Sequence, residues 1–189
     1  MRLEVDCSWN EGKNKAKQTI CFTHHPEDLF QMTEEKISEI QALSQSAPTE
    51  GPKALEKILK IKEKFPKSLY AAIIYYQTLN FFEYTEEADT LLKGLKKEYP
   101  KEILVKCSLA NKLLKDKLLD KFFELFRGLE VLVAAFPKRK EFFFEEALFF
   151  HDLWIHYYTL SGDGIQCEKH KKFNFLLLNT FQSAKVQEN

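Results

Sequence analysis

Acidic, histidine and cysteine side chains are the residues of this sequence whose types and spacing could support chemistry. Asp152 and His156 lie four residues apart, which places both on one face of a helix, where the carboxylate favours the charged imidazolium. Glu145 and Thr159 extend the same narrow polar stripe along an otherwise aromatic helix. The stripe is either a track that contacts a partner or the solvent edge of a core helix. It is also the site that a small helical enzyme would use.

The spacings of cysteine and histidine residues match part of a metal-ligand pattern, but no complete ligand set is present. Cys167 and His170 have a ligand-like gap, and Cys21 lies close to His24 and His25, but no second pair at zinc-finger spacing completes either set. The sequence also lacks a phosphate-binding glycine loop, a nucleophile elbow and an HExxH motif. We therefore predict no metal, no cofactor and no enzymatic activity.

Composition and charge indicate an ordered chain without a strong electrostatic field. The 189 residues are 44% hydrophobic and 30% charged, with six Gly and six Pro, which favours long helices over a β-sandwich. Lys plus Arg and Asp plus Glu are equal at 28 each, so no net charge attracts nucleic acid or an anionic membrane. No secretory signal, membrane-spanning run or disulfide spacing is evident, and we expect a cytoplasmic or otherwise intracellular protein.

An aromatic-proline-lysine tripeptide recurs three times, and its prolines are separated by 34 and then by 37 residues. Each copy ends an amphipathic stretch with one apolar stripe and begins a stretch that is apolar on most of its circumference, over residues 69–82, 103–114 and 142–160. Proline suits the junction because it ends one helix and fits the first turn of the next. Outer, half-exposed helices should therefore alternate with inner ones. The copies are Phe65-Pro66-Lys67, Tyr99-Pro100-Lys101 and Phe136-Pro137-Lys138.

The period and the second-helix pattern resemble the tetratricopeptide repeat. The resemblance covers residues 51–160 and implies an all-α, right-handed solenoid of antiparallel helix pairs; a helical solenoid of another family is the alternative. In the third unit Leu125 replaces the small residue, and one extra turn in its second helix would absorb its greater length. The first-helix signature of Trp, Leu, Gly and Tyr is missing. The aligned pairs are Ala54 with Ala88, Ile58 with Leu92, Ile61 with Leu95 and Phe65 with Tyr99.

The flanking segments complete the predicted domain plan. Residues 1–28 form an irregular segment, in which alternating apolar residues around a turn-like stretch at 10–14 predict either a small β-hairpin or a disordered tail. Residues 29–189 form the helical-repeat domain, whose degenerate first unit is broken by the segment 47–52. A capping helix closes its C-terminal side, with an apolar face formed by Phe173, Leu176, Leu177 and Phe181.

The resemblance also implies a function, because the first helices of tetratricopeptide pairs line a concave groove. Here that groove is apolar with a few amides, which suits an extended or helical peptide. We predict a protein-protein interaction module, acting as a scaffold, adaptor, chaperone-like holder or complex subunit, that binds another protein or a peptide segment. If a C-terminal element instead covers these helices, the residues are simply core. The predicted groove residues are Tyr70, Ile73, Gln77, Asn80, Leu104, Cys107, Asn111 and Leu114.

Two further surfaces suggest other partners. The aromatic helix 142–160 could form a homodimer, since aromatic side chains are enriched in interface cores. The outer-helix lysines Lys57, Lys60 and Lys64 could meet an acidic surface or RNA. Neighbouring glutamates dilute these lysines, and a solvated face is the simpler interpretation. A weak nucleic-acid-binding helical repeat is therefore an alternative function.

Overall fold

The computed structural model describes residues 2–6, 17–21, 31–139 and 141–187. Within these ranges the chain is predominantly helical, which confirms the predicted class, while the solenoid arrangement stays a prediction. Three short strands accompany the helices: β1 (Arg2–Asp6), β2 (Lys17–Cys21) and β3 (Glu141–Phe143). The helices are α1 (Glu34–Glu50), α2 (Pro52–Lys64), α3 (Leu69–Phe81), α4 (Thr85–Glu98), α5 (Ile103–Lys115), α6 (Leu119–Phe126), α7 (Leu132–Ala135), α8 (Phe144–Ser161) and α9 (Gly164–Gln187).

The chain divides into two compact units, one formed by His24–Ser108 and the other by Met1–Thr23 with Leu109–Asn189. The division falls inside α5. Of the N-terminal predictions, the turn at 10–14 and the histidines His24 and His25 lie outside the described residues. None of the described helices is long and apolar enough to cross a membrane.

In the first unit, the first two proline corners mark helix junctions as predicted. Pro66 lies in the turn between α2 and α3, and Pro100 lies between α4 and α5. Ser68 caps α3 by accepting a hydrogen bond from the Ala71 N–H at 3.2 Å. The predicted break at 47–52 occurs only at Gly51, whose φ of 64° ends α1, whereas Pro48 lies inside that helix.

Burial in the first unit follows the predicted alternation of outer and inner helices. The outer helices α2 and α4 each bury one stripe, and the small residues Ala54 and Ala88 are both fully buried. The inner helix α3 is covered on several sides, as its continuous apolar sequence requires. Its buried residues are Leu69, Tyr70, Ala71, Ala72, Ile73, Ile74, Tyr76, Thr78 and Leu79.

In the second unit, β1 and β2 pair antiparallel, which agrees with the hairpin alternative for the N-terminal segment and places Leu3 opposite Ile20. β2 also pairs in parallel with β3, where Ile20 lies opposite Phe142. The third inner helix was predicted from residue 142, but residues 141–143 are a strand and the helix begins at Phe144. Glu146 explains this start, because its carboxylate accepts a hydrogen bond from the Phe143 N–H at 3.1 Å and caps the helix.

The prediction of one lengthened third outer helix is wrong. The segment forms two helices, α6 and the four-residue α7, separated by residues 127–131. Arg127 and Gly128 adopt φ angles of 55° and 63°, and the Gly128 N–H donates to the Phe123 carbonyl at 3.0 Å. This left-handed C-terminal stop ends α6, and only glycine adopts such angles without strain.

Replacement of Gly128 by alanine should destabilise the fold by about 1–2 kcal/mol, because a left-handed backbone conformation is costly for a residue with a Cβ. The added atom would also lie 2.5 Å from Phe123 Cζ. The matched control is Gly94→Ala in α4, where an added Cβ meets nothing within 4 Å and should stabilise by about 0.5–1 kcal/mol. Urea unfolding followed by circular dichroism measures both. Equal effects of the two substitutions on the free energy of unfolding would contradict the assignment of the left-handed end of α6 to Gly128.

Candidate functional site

Aromatic side chains from α6 and α8 form the core of the second unit around Trp154. Phe122 of α6 meets the Trp154 ring edge-on, with ring centroids 5.1 Å apart. Phe126 contacts Phe150 in the same way at 5.2 Å. Trp154 is fully buried, and its indole Nε1 has no hydrogen-bond partner among the described residues. This packing holds α8 in place and fixes the position of the polar groups on it.

A chain of four hydrogen-bonded side chains runs through this core. Tyr158 donates its hydroxyl to Glu130 Oε1 at 2.6 Å, and His170 Nε2 lies 3.2 Å from Glu130 Oε2. His170 Nδ1 lies 2.8 Å from His151 Nδ1. Both histidines are completely buried, whereas the Glu130 side chain is 25% exposed. The network therefore runs from a partly solvated carboxylate to a buried imidazole.

Hydrogen-bond roles in this network are constrained by the carboxylate. Glu130 accepts, so His170 Nε2 carries a proton, and only one proton can lie between the two facing Nδ1 atoms. Burial, and then the charge of His170, hold the pKa of His151 well below its usual value. Burial raises the pKa of Glu130, but hydrogen bonds from His170 and Tyr158 outweigh it, so the net pKa lies below the usual value. The favoured state is a neutral His151 and an ionised Glu130.

The arrangement can hold a proton and can join three parts of the unit. Glu130 belongs to the non-helical segment between α6 and α7, while its partners lie on α8 and α9. The network thus attaches the segment 127–131 to two helices. Among the described residues no group of three or more His, Cys, Asp or Glu side chains could hold a metal ion.

Sequence reasoning singled out some of these residues but not their connection. Cys167 and His170 have a ligand-like gap in the sequence, but Cys167 Sγ lies 3.6 Å from Thr159 Oγ1, and His170 contacts Glu130 and His151. The contact between Glu130 and His170 spans 40 positions. No local periodicity signals a pairing at that distance, so Glu130 was missed.

The predicted pair of Asp152 and His156 does not form. The Asp152 carboxylate instead accepts a hydrogen bond from Asn174 Nδ2 of α9 at 2.6 Å, and His156 is half-buried on α8. At Asp152 the polar stripe of α8 faces α9, because α9 packs against α8. Asp152 therefore joins the two helices instead of acting together with His156.

The eight predicted groove residues divide into a buried apolar set and a half-buried amide set. The amides Gln77, Asn80 and Asn111 are half-buried. Asn111 and Leu114 belong to the second unit and the other six to the first. The apolar members are buried, and whether these residues bind a partner stays a prediction. The buried members are Tyr70, Ile73, Leu104, Cys107 and Leu114, each at most 5% exposed.

A set of exposed apolar side chains lies on α9. Its inner face is buried and includes Phe173 and Leu177, which the capping-helix prediction named. Leu176 was predicted on that same face but is 46% exposed, and the Phe181 side chain lies outside the described part. A terminal cap should have a polar outer face, whereas this helix exposes Ile165, Phe175, Leu176 and Leu178, at 75%, 67%, 46% and 41%.

Aromatic residues of α8 do not offer the surface that a homodimer through this helix would need. Phe144, Phe150, Trp154 and Tyr158 are at most 8% exposed. Tyr157 is half-buried and stacks on Phe122, with centroids 5.0 Å apart. The helix uses its aromatic circumference within its own chain, and the structure does not support that dimer.

Comparisons with known proteins identify no relative. No protein-family model matches the sequence, and neither curated proteins nor solved structures give a match. The tetratricopeptide resemblance therefore rests on the residue pattern and spacing alone.

Acidification should destabilise the second unit through His151. The unfolded chain takes up a proton on this histidine below pH ~6.5, but the folded chain resists protonation because the His151 pKa is lowered. Stability should therefore be complete above pH ~6.5 and decline below it, with a slope of up to ~1.4 kcal/mol per pH unit. Glu130, whose pKa is also lowered, contributes stability that is lost only at lower pH, below its unfolded value of ~4.5.

The measurement is the free energy of unfolding between pH 7.5 and 5, for the wild type and His151→Asn. Asparagine keeps an N–H at the position of Nδ1 but does not titrate. The free energy of unfolding of the variant should therefore change less steeply with pH over this range, by up to ~1.4 kcal/mol per pH unit. Thr159→Asn, on the exposed side of the same helix, introduces an asparagine without removing a titratable group; it is the control and should retain the wild-type slope. A His151→Asn slope equal to that of the wild type would contradict the role of the histidine pair.

Proposed function

We propose that this chain is a protein-protein interaction module that binds an amphipathic helix of another protein on the outer face of α9. The observation that carries the proposal is the set of four large apolar side chains, Ile165, Phe175, Leu176 and Leu178, at 41% to 75% exposure. Exposed apolar residues that lie together on a folded element mark contact sites. An adaptor, a scaffold, a chaperone-like holder and a complex subunit would all use such a face.

The inner face of α9 shows that the helix has a fixed orientation. Cys167, His170, Phe173, Asn174 and Leu177 are all buried, at the three- and four-residue spacing of one helical face. The hydrogen bonds of His170 and Asn174 further fix its rotation against α8 and the segment around Glu130. Because the helix cannot turn its outer residues inward without breaking these contacts, their exposure is a property of the fold.

The spacing of the outer residues favours a helix as the occupant. Ile165 and Leu176 are separated by eleven residues, about three turns, and lie on one side of the outer face, while Phe175 and Leu178 lie three residues apart on the other. A partner helix can pack its apolar stripe against these side chains. Lys172 is exposed and falls between the two sides on the helical wheel, so an acidic residue beside the stripe would add an ion pair.

The tetratricopeptide-like stacking of helices is part of the proposal. It is supported by the period of the proline corners, by the bounds of α2, α3, α4 and α5, and by the buried small residues Ala54 and Ala88. Stacks of helix pairs expose extended surfaces that bind peptides and helices.

Leu176→Glu should weaken binding of the partner about 10- to 100-fold, because burying one leucine contributes ~1.5–3 kcal/mol and a buried carboxylate adds a penalty. Proteins retained from a native extract by the wild type are identified, and the purified binary complex is measured by calorimetry. The matched control is Leu118→Glu, a leucine of similar exposure, 38% against 46%, in the same unit; its affinity should stay within about twofold of the wild type.

Hydrogen exchange of the binary complex locates the contact. The amides of Ile165–Leu178 should gain protection on binding, and the exposed Phe175→Glu variant should lose the same partner. Wild-type affinity in both the Leu176→Glu and Phe175→Glu variants would exclude the outer face of α9 as the binding site.

A further inference from the structure

A basic pocket lies at one end of the helices of the first unit. It has a volume of about 250 Å³, and its lining includes Lys36 from α1, Lys57, Lys60 and Lys64 from α2, and the apolar side chains Ile61 and Phe65. Among the described residues that line it, Glu39 is the one acidic side chain. The pocket therefore combines an excess of positive charge with an apolar floor.

The lysines line up because of their spacing along α2. Lys53, Lys57, Lys60 and Lys64 follow one another at intervals of four, three and four residues, so they form one stripe along the helix. Two of the pocket lysines are partly neutralised: Lys36 pairs with Glu39, and Lys57 pairs with Glu50 at 2.6 Å.

Lys60 and Lys64 carry the remaining charge. Lys60 has no ion-pair partner among the described residues, and Lys64 lies over the Phe65 ring, with Nζ 5.8 Å from the centroid. These two cations beside Ile61 and Phe65 suit a ligand that carries carboxylates next to an aromatic or aliphatic group.

The same unit has a segment of the complementary composition, here called the acidic aromatic turn, residues 81–87. Phe81 and Tyr84 are 54% and 44% exposed. Glu83, Glu86 and Glu87 are exposed around them, and the segment contains no basic residue. Two exposed aromatic rings within one turn are unusual for a surface that meets only water, and the carboxylates match the cations of the pocket.

The pocket and the turn lie at opposite ends of the unit. Connections of one to four residues join α1, α2, α3 and α4, so consecutive helices run antiparallel. The pocket lies where α1 begins and α2 ends, whereas the turn joins the end of α3 to the start of α4. The thirteen residues of α3 separate the two ends by ~20 Å. One copy of the chain therefore cannot place its own turn in its own pocket.

We infer that the pocket receives the acidic aromatic turn of a second copy of this chain, in a head-to-tail contact. Phe81 or Tyr84 enters against Ile61 and Phe65, while Glu83 and Glu86 pair with Lys60 and Lys64. Such a contact joins two different patches, so association continues from copy to copy into rings or open chains instead of stopping at a symmetric dimer. The inference does not depend on the proposed function, which uses α9 alone.

Sedimentation velocity over a range of protein concentrations tests the contact with two variants of opposite defect. Lys60→Glu/Lys64→Glu inactivates the pocket but keeps the turn, and Glu83→Lys/Glu86→Lys inactivates the turn but keeps the pocket. The wild type should grow in mass with concentration, and salt at ~0.5 M should weaken this growth because the ion pairs are exposed. Each variant alone should associate at least about 10-fold more weakly than the wild type.

Mixing the two variants is the decisive step. One intact pocket and one intact turn remain between them, and the glutamates of the altered pocket can also pair with the lysines of the altered turn, so an equimolar mixture should regain the concentration-dependent association that each variant lacks alone. Lys96→Glu/Lys97→Glu makes the same charge change on exposed lysines of α4 outside the pocket and should associate like the wild type. Circular dichroism confirms that all variants retain their helices.

Three results would overturn the inference. The first is a wild type that stays monomeric up to millimolar concentration, and the second is a mixture of the two folded variants that associates no more strongly than either variant alone. The third is association that Leu176→Glu abolishes but the pocket and turn variants leave intact. That last result would assign self-association to α9 and would leave the proposed contact surface standing, so the two proposals fail separately.

Discussion

A helix that is apolar around most of its circumference must be covered on most sides, and this constraint governs the second unit. Helix α8 satisfies it with aromatic side chains of α6 on one side and α9 on another. The same burial encloses two polar side chains of α8, Glu146 and His151, at 2% and 0% exposure. Each then requires a partner, because an unpaired polar group in a core costs several kcal/mol. Arg139 supplies a bidentate ion pair at 2.8 and 2.9 Å, and His170 supplies the facing imidazole.

Those partners determine which surfaces stay exposed. His170 and Asn174 fix the rotation of α9, so Phe175 and Leu176 point away from the core. In the first unit, the stripe of α2 that includes Ile58 is buried, which leaves the neighbouring lysine stripe at the surface. Function in this chain, as we propose it, resides in surfaces that folding leaves uncovered: an apolar helix face in one unit, and a basic pocket with an acidic turn in the other.

The local sequence pattern predicted the helices of the first unit well, because the residues that determine where each helix begins and ends lie within one or two turns of it. Proline at the corners and the apolar stripes of α2 and α4 marked helix bounds to within a few residues. The failures have non-local causes. Strand β3 exists because β2, more than a hundred residues earlier, pairs with it. Helix α6 ends at Phe126, before the left-handed residues Arg127 and Gly128, and the following Glu130 is held by His170 across 40 positions. The apolar side chains assigned to a groove are buried in the isolated chain, and sequence pattern does not separate core from groove, because an inward-facing apolar helix has the same pattern whether or not a partner covers it.

The central claim is that α9 is a preformed helix, held by its inner face, whose outer face is ready to bind. Hydrogen exchange of the isolated wild-type chain tests this most directly. Amides of the segment from Cys167 to Leu177 should be protected to nearly the extent of those in α8, because the contacts of His170, Phe173 and Asn174 hold the two helices together. Exchange of that segment at the rate of an unstructured peptide, while α8 stays protected, would contradict the account. Phe175 and Leu176 would then belong to a frayed helix and not to a binding face.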